Sequence, residues 1–343
     1  MIKKKTFASS SQAEFNLQKS RGRCLHFERG ERCNKVIDAH SIQKNGQLRQ
    51  IEEAGHVYRF SADLSTLQKN HGHPAPTKVG WNKVTTFLGF CRLHDNELFK
   101  PIDERPLVPD RQQAALYAYR SLCREFFVKE NVVRALSTLQ NHAGITHEAN
   151  QFLQTQLYGN TLGFNRLKFH KAKFDESFIA QNFADFEYLT FASTSPWSLQ
   201  LSGVLYPDFD FEGNQLQDLI DEISPMSLVT FFTAPMSKGW TFSFCWHRSS
   251  HNICERLTRS LAFAMHRGAL IEDTLLRFAF SCCENHAIRI SWWDALATKA
   301  REAIMERCGA MTDPLIITPA NYLTQGLEGI ADWKFDSVFS TIQ

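Results

Sequence analysis

The longest regular pattern of apolar residues lies near the middle of the chain. After Asp110, apolar side chains recur every three or four residues, which places them on one face of an α-helix. Asp110 is a favoured residue before a helix, and Gln113 completes a capping-box pattern. We therefore predict a long helix from Asp110 and a second helix from Thr146, with Glu148 in its first turn. The residues that carry the helical spacing are Leu116, Ala118, Leu122, Phe126, Val133, Leu136 and Leu139.

The pattern changes after about residue 185. Segments 187–193 and 198–207 are short and rich in apolar and β-branched residues, which is typical of strands. Segment 227–246 contains two such runs around a turn at 235–239 and predicts a hairpin. Helical spacing then returns in three stretches, 253–265, 270–280 and 291–308.

The first 105 residues are different, being rich in Cys, His, Gly and Lys with only short apolar runs. A length of 343 residues allows two or three domains. We predict an N-terminal module over 1–105, a helical connector over 106–155 and a mixed α+β domain over 156–343. The predicted fold class is α+β.

Composition restricts the class of protein further. No apolar run approaches the ~18 residues that span a bilayer, and the first residues lack the apolar region of a signal peptide. We expect a cytoplasmic protein without a membrane partner. The nine cysteines are an odd number spread along a long chain, which argues against a disulfide framework.

The charge is unevenly distributed. The net charge is +2, but residues 1–110 hold 18 Lys and Arg against 12 Asp and Glu. A basic N-terminal third suits contact with a polyanion such as nucleic acid. The same charges also fit a solvated basic tail.

Two pairs of residues in the N-terminal third have the character of metal ligands. Cys91 and His94 are separated by two residues at the start of a predicted helix, and Cys24 and Cys33 lie upstream around a glycine-containing turn. Zinc is held by four such ligands in a tetrahedron. The four residues are a candidate Cys₃His zinc site, and His26 is an alternative to Cys24.

Further polar residues lie between and beside these pairs. A short apolar run after the second cysteine leads to His40. Asn82 precedes a second apolar run, 84–90, and Asp95 directly follows the last candidate zinc ligand. The predicted order is a strand, a histidine, a long loop, an asparagine, a strand and a helix.

This order resembles the zinc-containing HNH, or His-Me finger, nucleases, in which a ββα unit is built on a treble-clef zinc site. The resemblance covers residues 20–105. It implies that His40 is the general base, that Asn82 orients it and that Asp95 binds a catalytic divalent ion. Asp38 is a candidate second ligand of that ion, since alternate strand residues share a face. The implied cofactors are structural Zn²⁺ and catalytic Mg²⁺ or Mn²⁺.

The implied activity is metal-dependent hydrolysis of phosphodiester bonds, on DNA more than RNA. By analogy, such an enzyme serves in a bacterial defence or toxin setting, for instance against phage. The segments "AHSIQ" and "FLGFCRLHD" also look similar to those of an uncharacterised group of bacterial proteins. The sequence departs from the HNH pattern in the eight residues between the first two cysteines and in Ala39, which stands where an acid often precedes the base histidine.

Other interpretations remain open. His40 also fits a core or zinc-coupled histidine, Asn82 a turn and Asp95 a helix cap. The whole chain also fits a non-catalytic zinc-module protein that binds nucleic acid or a protein partner, with an oligomer formed through the C-terminal domain. A hydrolase with its site in the C-terminal half is a third possibility. A second, weaker set of zinc-type residues consists of Cys245, His247, His251 and Cys254.

Overall fold

The computed structural model shows a mixed α+β protein, which confirms the predicted class at that level. It describes residues 7–342 except 29, 62–63, 71–72, 143–144, 196 and 313–317.

The N-terminal third contains a two-stranded antiparallel sheet followed by a helix. In chain order its elements are α1 (Phe7–Ser20), β1 (Val36–His40), α2 (Arg49–Ile51), β2 (His56–Ser61), α3 (Leu64–Lys69), β3 (Ala75–Gly80), β4 (Thr86–Cys91) and α4 (Arg92–Asp103). Strand β1 pairs with β4, with His40 opposite Thr86, and α4 follows β4 directly. The predicted strand–strand–helix order is therefore present. The hairpin of β2 and β3 within the predicted long loop was not predicted.

Two long helices, α5 (Arg111–Leu139) and α6 (His147–Ile179), follow as predicted. The Asp110 side chain accepts a hydrogen bond from the Gln113 backbone N–H, and Thr146 caps α6 through Ala149 N–H. The Gln113 side chain does not return the bond to Asp110, because its Oε1 accepts from Val108 N–H instead. Residue 155, the predicted end of the connector, lies inside α6.

The remaining elements include the predicted strands, the hairpin and two of the three predicted helices, together with two short strands at 286–288 and 337–340 that were not predicted. They are β5 (Phe186–Ser193), β6 (Leu199–Leu205), β7 (Val229–Pro235), β8 (Trp240–His247), α7 (His251–His266), α8 (Ile271–Cys282), β9 (His286–Ile288), α9 (Ile290–Ala295), α10 (Thr298–Thr312) and β10 (Ser337–Ser340). The single helix predicted over 291–308 is wrong. Leu296 has an extended backbone with ψ 142° and separates α9 from α10, although no glycine or proline stands there.

One antiparallel sheet contains strands from both the N-terminal and the C-terminal side of residue 105. Its eight strands run in the order β10-β5-β8-β7-β6-β9-β2-β3. The β2–β3 hairpin joins the C-terminal strands through β9, where Tyr58 pairs with Ile288. The division into units at residues 105 and 155 stays a prediction, but strands from both sides of the first boundary share this sheet.

Helix α5 connects the small sheet to the large one. It contacts α4 and β4 on the N-terminal side and β5 to β8 of the large sheet. Its side chains are buried around most of its circumference, including those of Arg120 and Arg124. Among the described residues, no helix combines the length and the apolar character that crossing a membrane requires.

Candidate metal centre and adjoining cavity

The side chains of Cys24, Cys33, Cys91 and His94 converge on one point. Each of the three Sγ atoms lies 3.4 Å from Nδ1 of His94. The four ligand atoms lie within 4.8 Å of one another, so this group, which we call the Cys–His group, could hold a metal ion. All nine cysteines of the chain are free thiols.

Local backbone structure brings the four residues together. Arg23 and Leu25 donate backbone hydrogen bonds to Leu88 and Gly89, which aligns Cys24 beside β4. Cys91 ends β4 and is the N-cap residue of α4, so His94 follows within the first helical turn. The fully buried His94 therefore faces the thiols of both chain segments.

The second nitrogen of His94 is held by a carboxylate. Its Nε2 lies 2.8 Å from Oε2 of Glu28. Hydrogen bonds from Arg32 and from His94 lower the pKa of Glu28 to about 2, so this group is an anion at neutral pH. His26 stacks on His94 with ring centroids 4.0 Å apart, and with Glu28 and His94 it forms an overlapping alternative group.

A separate cavity of about 270 Å³ lies beside α4, and we call it the His40 cavity. His40 and Asp38 of β1 line it, together with Asp95 of α4. The structure therefore brings three of the predicted site residues to one cavity. Asp103 at the end of α4 and Arg120 of α5 complete its charged lining.

Four polar atoms in this lining are buried without a hydrogen-bond partner, namely Nε2 of His40, Oδ1 of Asp95, Oε1 of Gln43 and Nε of Arg120. Burial lowers the pKa of His40, and the charges of Lys44 and Arg120 lower it further. Hydrogen bonding to the backbone of Trp81 and Asn82 acts in the opposite direction and is outweighed. Burial also raises the pKa of Asp95, and Arg120 opposes that rise.

The structure limits two of the alternative roles. Asp95 lies inside α4, whose N-cap is Cys91, so it is not the capping residue. Asn82 lies in the turn before β4 with its side chain exposed, and it approaches His40 through its backbone. The turn interpretation of Asn82 therefore agrees with its position, and any orienting action on His40 passes through the main chain.

Sequence reasoning missed Asp103 and Arg120. The Arg120 guanidinium forms a bidentate ion pair with Asp103, with N–O distances of 2.9 and 2.7 Å. Burial lowers the pKa of Arg120, but Asp103 and Asp95 outweigh that effect and leave its pKa raised. The sequence signal that could have identified Arg120 is the position of an arginine among the apolar residues of the long helix.

The second zinc-type set is not brought together. Within the described part of the chain, the only groups close enough to hold a metal ion are the Cys–His group and the overlapping one with His26. His251 instead pairs with Glu187 at 2.6 Å, and Cys245 is buried in β8.

Comparison of this chain with protein-family models, with curated proteins and with solved structures found no match.

Proposed function

We propose that this protein is a metal-dependent endonuclease of the HNH type, with the His40 cavity as its active site. The observation that carries the proposal is the pair of buried, unpartnered atoms, His40 Nε2 and Asp95 Oδ1, in the lining of one cavity. Unpaired buried polar atoms are costly, and catalytic or ligand sites are among the places where they occur. A general base requires a nitrogen that is free to accept a proton, and an ion ligand requires an oxygen that is free to bind the ion.

The proposed metal of the Cys–His group is zinc in a treble-clef site. Two ligands of a tetrahedral zinc, one sulfur and one nitrogen, lie about 3.5 Å apart at ordinary bond lengths. The three Sγ–Nδ1 separations of 3.4 Å agree with that geometry. The carboxylate of Glu28 on the other nitrogen of His94 is a common outer partner of zinc-bound histidines.

His40 is proposed as the general base. A neutral imidazole can take a proton from water at physiological pH, and its free Nε2 faces the site where that water would lie. His40 ends β1, and its ring lies beside the turn before β4. The main chain of Asn82 holds it there.

Asp95 and Asp38 are proposed as ligands of a divalent ion. Carboxylate oxygens are the ligands that Mg²⁺ prefers, which fits this donor set. When bound, such an ion stabilises negative charge on a phosphoryl group and its leaving oxygen. Arg120 supplies a fixed positive charge in the same lining, although Asp103 neutralises much of it.

The proposed substrate is nucleic acid, because the N-terminal third carries an excess of basic residues. The resemblance to HNH nucleases favours DNA over RNA. The test is cleavage of supercoiled plasmid and of labelled RNA by the full chain with Mg²⁺ or Mn²⁺. We expect His40→Ala to reduce the cleavage rate about 10²–10⁴-fold and Asp95→Asn to act similarly. Neither change should alter the zinc content of the purified protein.

A matched control is His266→Ala, at the exposed end of α7, which should cleave like the unmodified chain. If the zinc-loaded protein cleaves neither DNA nor RNA, the nuclease proposal is wrong. The same result would favour the non-catalytic zinc-module protein.

A further inference from the structure

A second and larger cavity, of about 550 Å³, lies beside β4 and α5, and we call it the Arg59 cavity. It is formed where α1, α5, β2 and β4 meet the loop before β9. The cavity therefore lies where the N-terminal elements pack against the C-terminal part of the chain. Its volume falls within the range of about 300–1,000 Å³ that is usual for small-molecule sites.

Three side chains in its lining are almost completely buried and have an unpartnered polar atom. They are Thr85 (4% exposed) with Oγ1, Asn131 (4%) with Nδ2, and Asn285 (1%) with Oδ1. Such atoms are rarely left unpaired unless a ligand or water pairs them.

The orientation of each asparagine side-chain amide follows from its other hydrogen bonds. Asn285 Nδ2 donates to the backbone oxygen of Ser202, which can only accept, so Oδ1 remains as an acceptor. Asn131 Oδ1 accepts from Arg23, which can only donate, so Nδ2 remains as a donor. The cavity therefore offers both kinds of hydrogen-bonding group.

The charges in the lining favour an anion. Nε of Arg59 is enclosed without a hydrogen-bond partner, and no carboxylate in the described part of the chain forms an ion pair with Arg59. Burial lowers the pKa of Arg59 and the nearby Arg124 lowers it further, while Glu284 opposes this. Arg124, which is buried on α5, already pairs with Glu125, so Arg59 is the less neutralised of the two cations. The two lining acids, Asp38 and Glu284, are exposed, so solvent screens their charges more than those of the arginines.

The backbone at Thr85 is strained. Its φ is +61°, a left-handed conformation that a β-branched residue seldom adopts. The Thr85 carbonyl accepts hydrogen bonds from Ser41 N–H and Ser41 Oγ, which holds the turn in this conformation. Strain of this kind is concentrated at ligand-binding and catalytic sites.

The lining also contains three aromatic side chains, those of Phe15, Phe87 and Phe127. Phenyl rings next to free hydrogen-bond donors and acceptors can bind a flat heterocycle, and the guanidinium groups of Arg59 and Arg124 can bind a phosphate. We propose that the Arg59 cavity binds a nucleotide, with its phosphate at Arg59 and Arg124 and its base among the phenyl rings and the asparagine amides.

This site is distinct from the proposed nuclease site, because neither His40 nor Asp95 lines it. Asp38 lines both cavities, so the two are neighbours. The inference does not depend on the proposed cleavage activity, and its test uses no divalent ion.

The test is calorimetric titration of the full chain with the four common nucleoside monophosphates, with inorganic phosphate and with adenosine. We expect at least one monophosphate to bind at least tenfold more tightly than phosphate or adenosine alone. Arg59→Gln should weaken that binding at least tenfold, because a charged hydrogen bond is lost. Thr85→Val should weaken it about threefold to tenfold, whereas Thr85→Ser, which keeps the hydroxyl, should not.

Arg105→Gln, at an exposed arginine outside the cavity, is the matched control and should bind normally. If thermal unfolding shows that Arg59→Gln does not fold, the comparison of Thr85→Val with Thr85→Ser tests the proposal instead. The proposal is overturned if no monophosphate binds at millimolar concentration, if phosphate alone binds as tightly, or if Thr85→Val binds like the unmodified chain.

A competition experiment identifies the source of the nucleotide. A 5′-phosphorylated oligonucleotide that displaces the bound monophosphate would indicate the end of a nucleic acid strand. Failure to displace it would indicate a free nucleotide, and both outcomes support the binding chemistry.

Discussion

Nε2 of His94 lies 2.8 Å from Oε2 of Glu28, on the side of the ring opposite the three thiols. This contact orients the imidazole as a ligand. We expect Glu28→Gln to weaken metal binding about 10–100-fold without removing a ligand. Competition with a chromogenic chelator would measure the change.

Glu31→Gln is the control for this prediction, since Glu31 is an exposed carboxylate near the same turn. It should leave metal affinity unchanged. Equal affinities of the Glu28 and Glu31 variants would show that the contact with His94 contributes nothing to metal binding.

Removing a thiol of the Cys–His group should release the metal. We expect one zinc per chain by elemental analysis, and less than one-tenth of that in Cys91→Ser. The variant should also lose about 3 kcal/mol or more of unfolding free energy, because metal binding is coupled to folding. Cys308→Ser, at a similarly buried thiol outside the group, should retain the metal. A metal-free but fully stable protein would contradict the assignment.

Much of the fold was predictable because its signals are local. Asp110 caps α5 as predicted, and the hairpin of β7 and β8 turns where its sequence indicates. The β2–β3 hairpin was missed because β3 is an edge strand containing Pro76, which weakens the strand signal. Its pairing through Ile288 depends on a partner more than 200 residues away in the chain, which no local pattern reveals.

The candidate site was predictable only in part, for a similar reason. Cysteine and histidine have distinctive spacing, so the Cys–His group could be identified from sequence. Arg120 and Arg124 are four residues apart on α5, and each lines a different cavity. Their roles depend on how α5 packs between two sheets, and the sequence shows only two arginines within an apolar helix.

Buried histidines should make the protein sensitive to acid. Burial, together with the positive charge of Arg59, lowers the pKa of His286 to about 4. Burial likewise lowers the pKa of His170 to about 4. The unfolded chain, with a histidine pKa of about 6.5, therefore binds protons more readily than the folded one. The stabilising effect is complete above pH ~6.5 and is lost as the pH falls towards 4.

For each histidine, we expect a loss on the order of 1–2 kcal/mol between pH 7 and pH 5. Urea unfolding at the two pH values would measure it. His286→Gln should reduce this dependence, whereas His266→Gln at an exposed position should not. A pH dependence that is the same in all three proteins would contradict the contribution of His286.

The ion pair of Arg120 with Asp103 should stabilise the packing of α4 against α5. The Arg120 guanidinium is buried, lies 4.0 Å from the centre of the Phe99 ring and donates two hydrogen bonds to the Asp103 carboxylate. Asp103→Asn would leave the buried cation without its anion, at a cost of about 1–3 kcal/mol, because Asp103 itself is partly exposed. The neighbouring Glu104 pairs with Lys100 on the surface, so Glu104→Gln should change stability by less than about 0.5 kcal/mol. Urea unfolding of both variants distinguishes the two cases, and equal small losses would mean that the Asp103 pair does not hold the helices together.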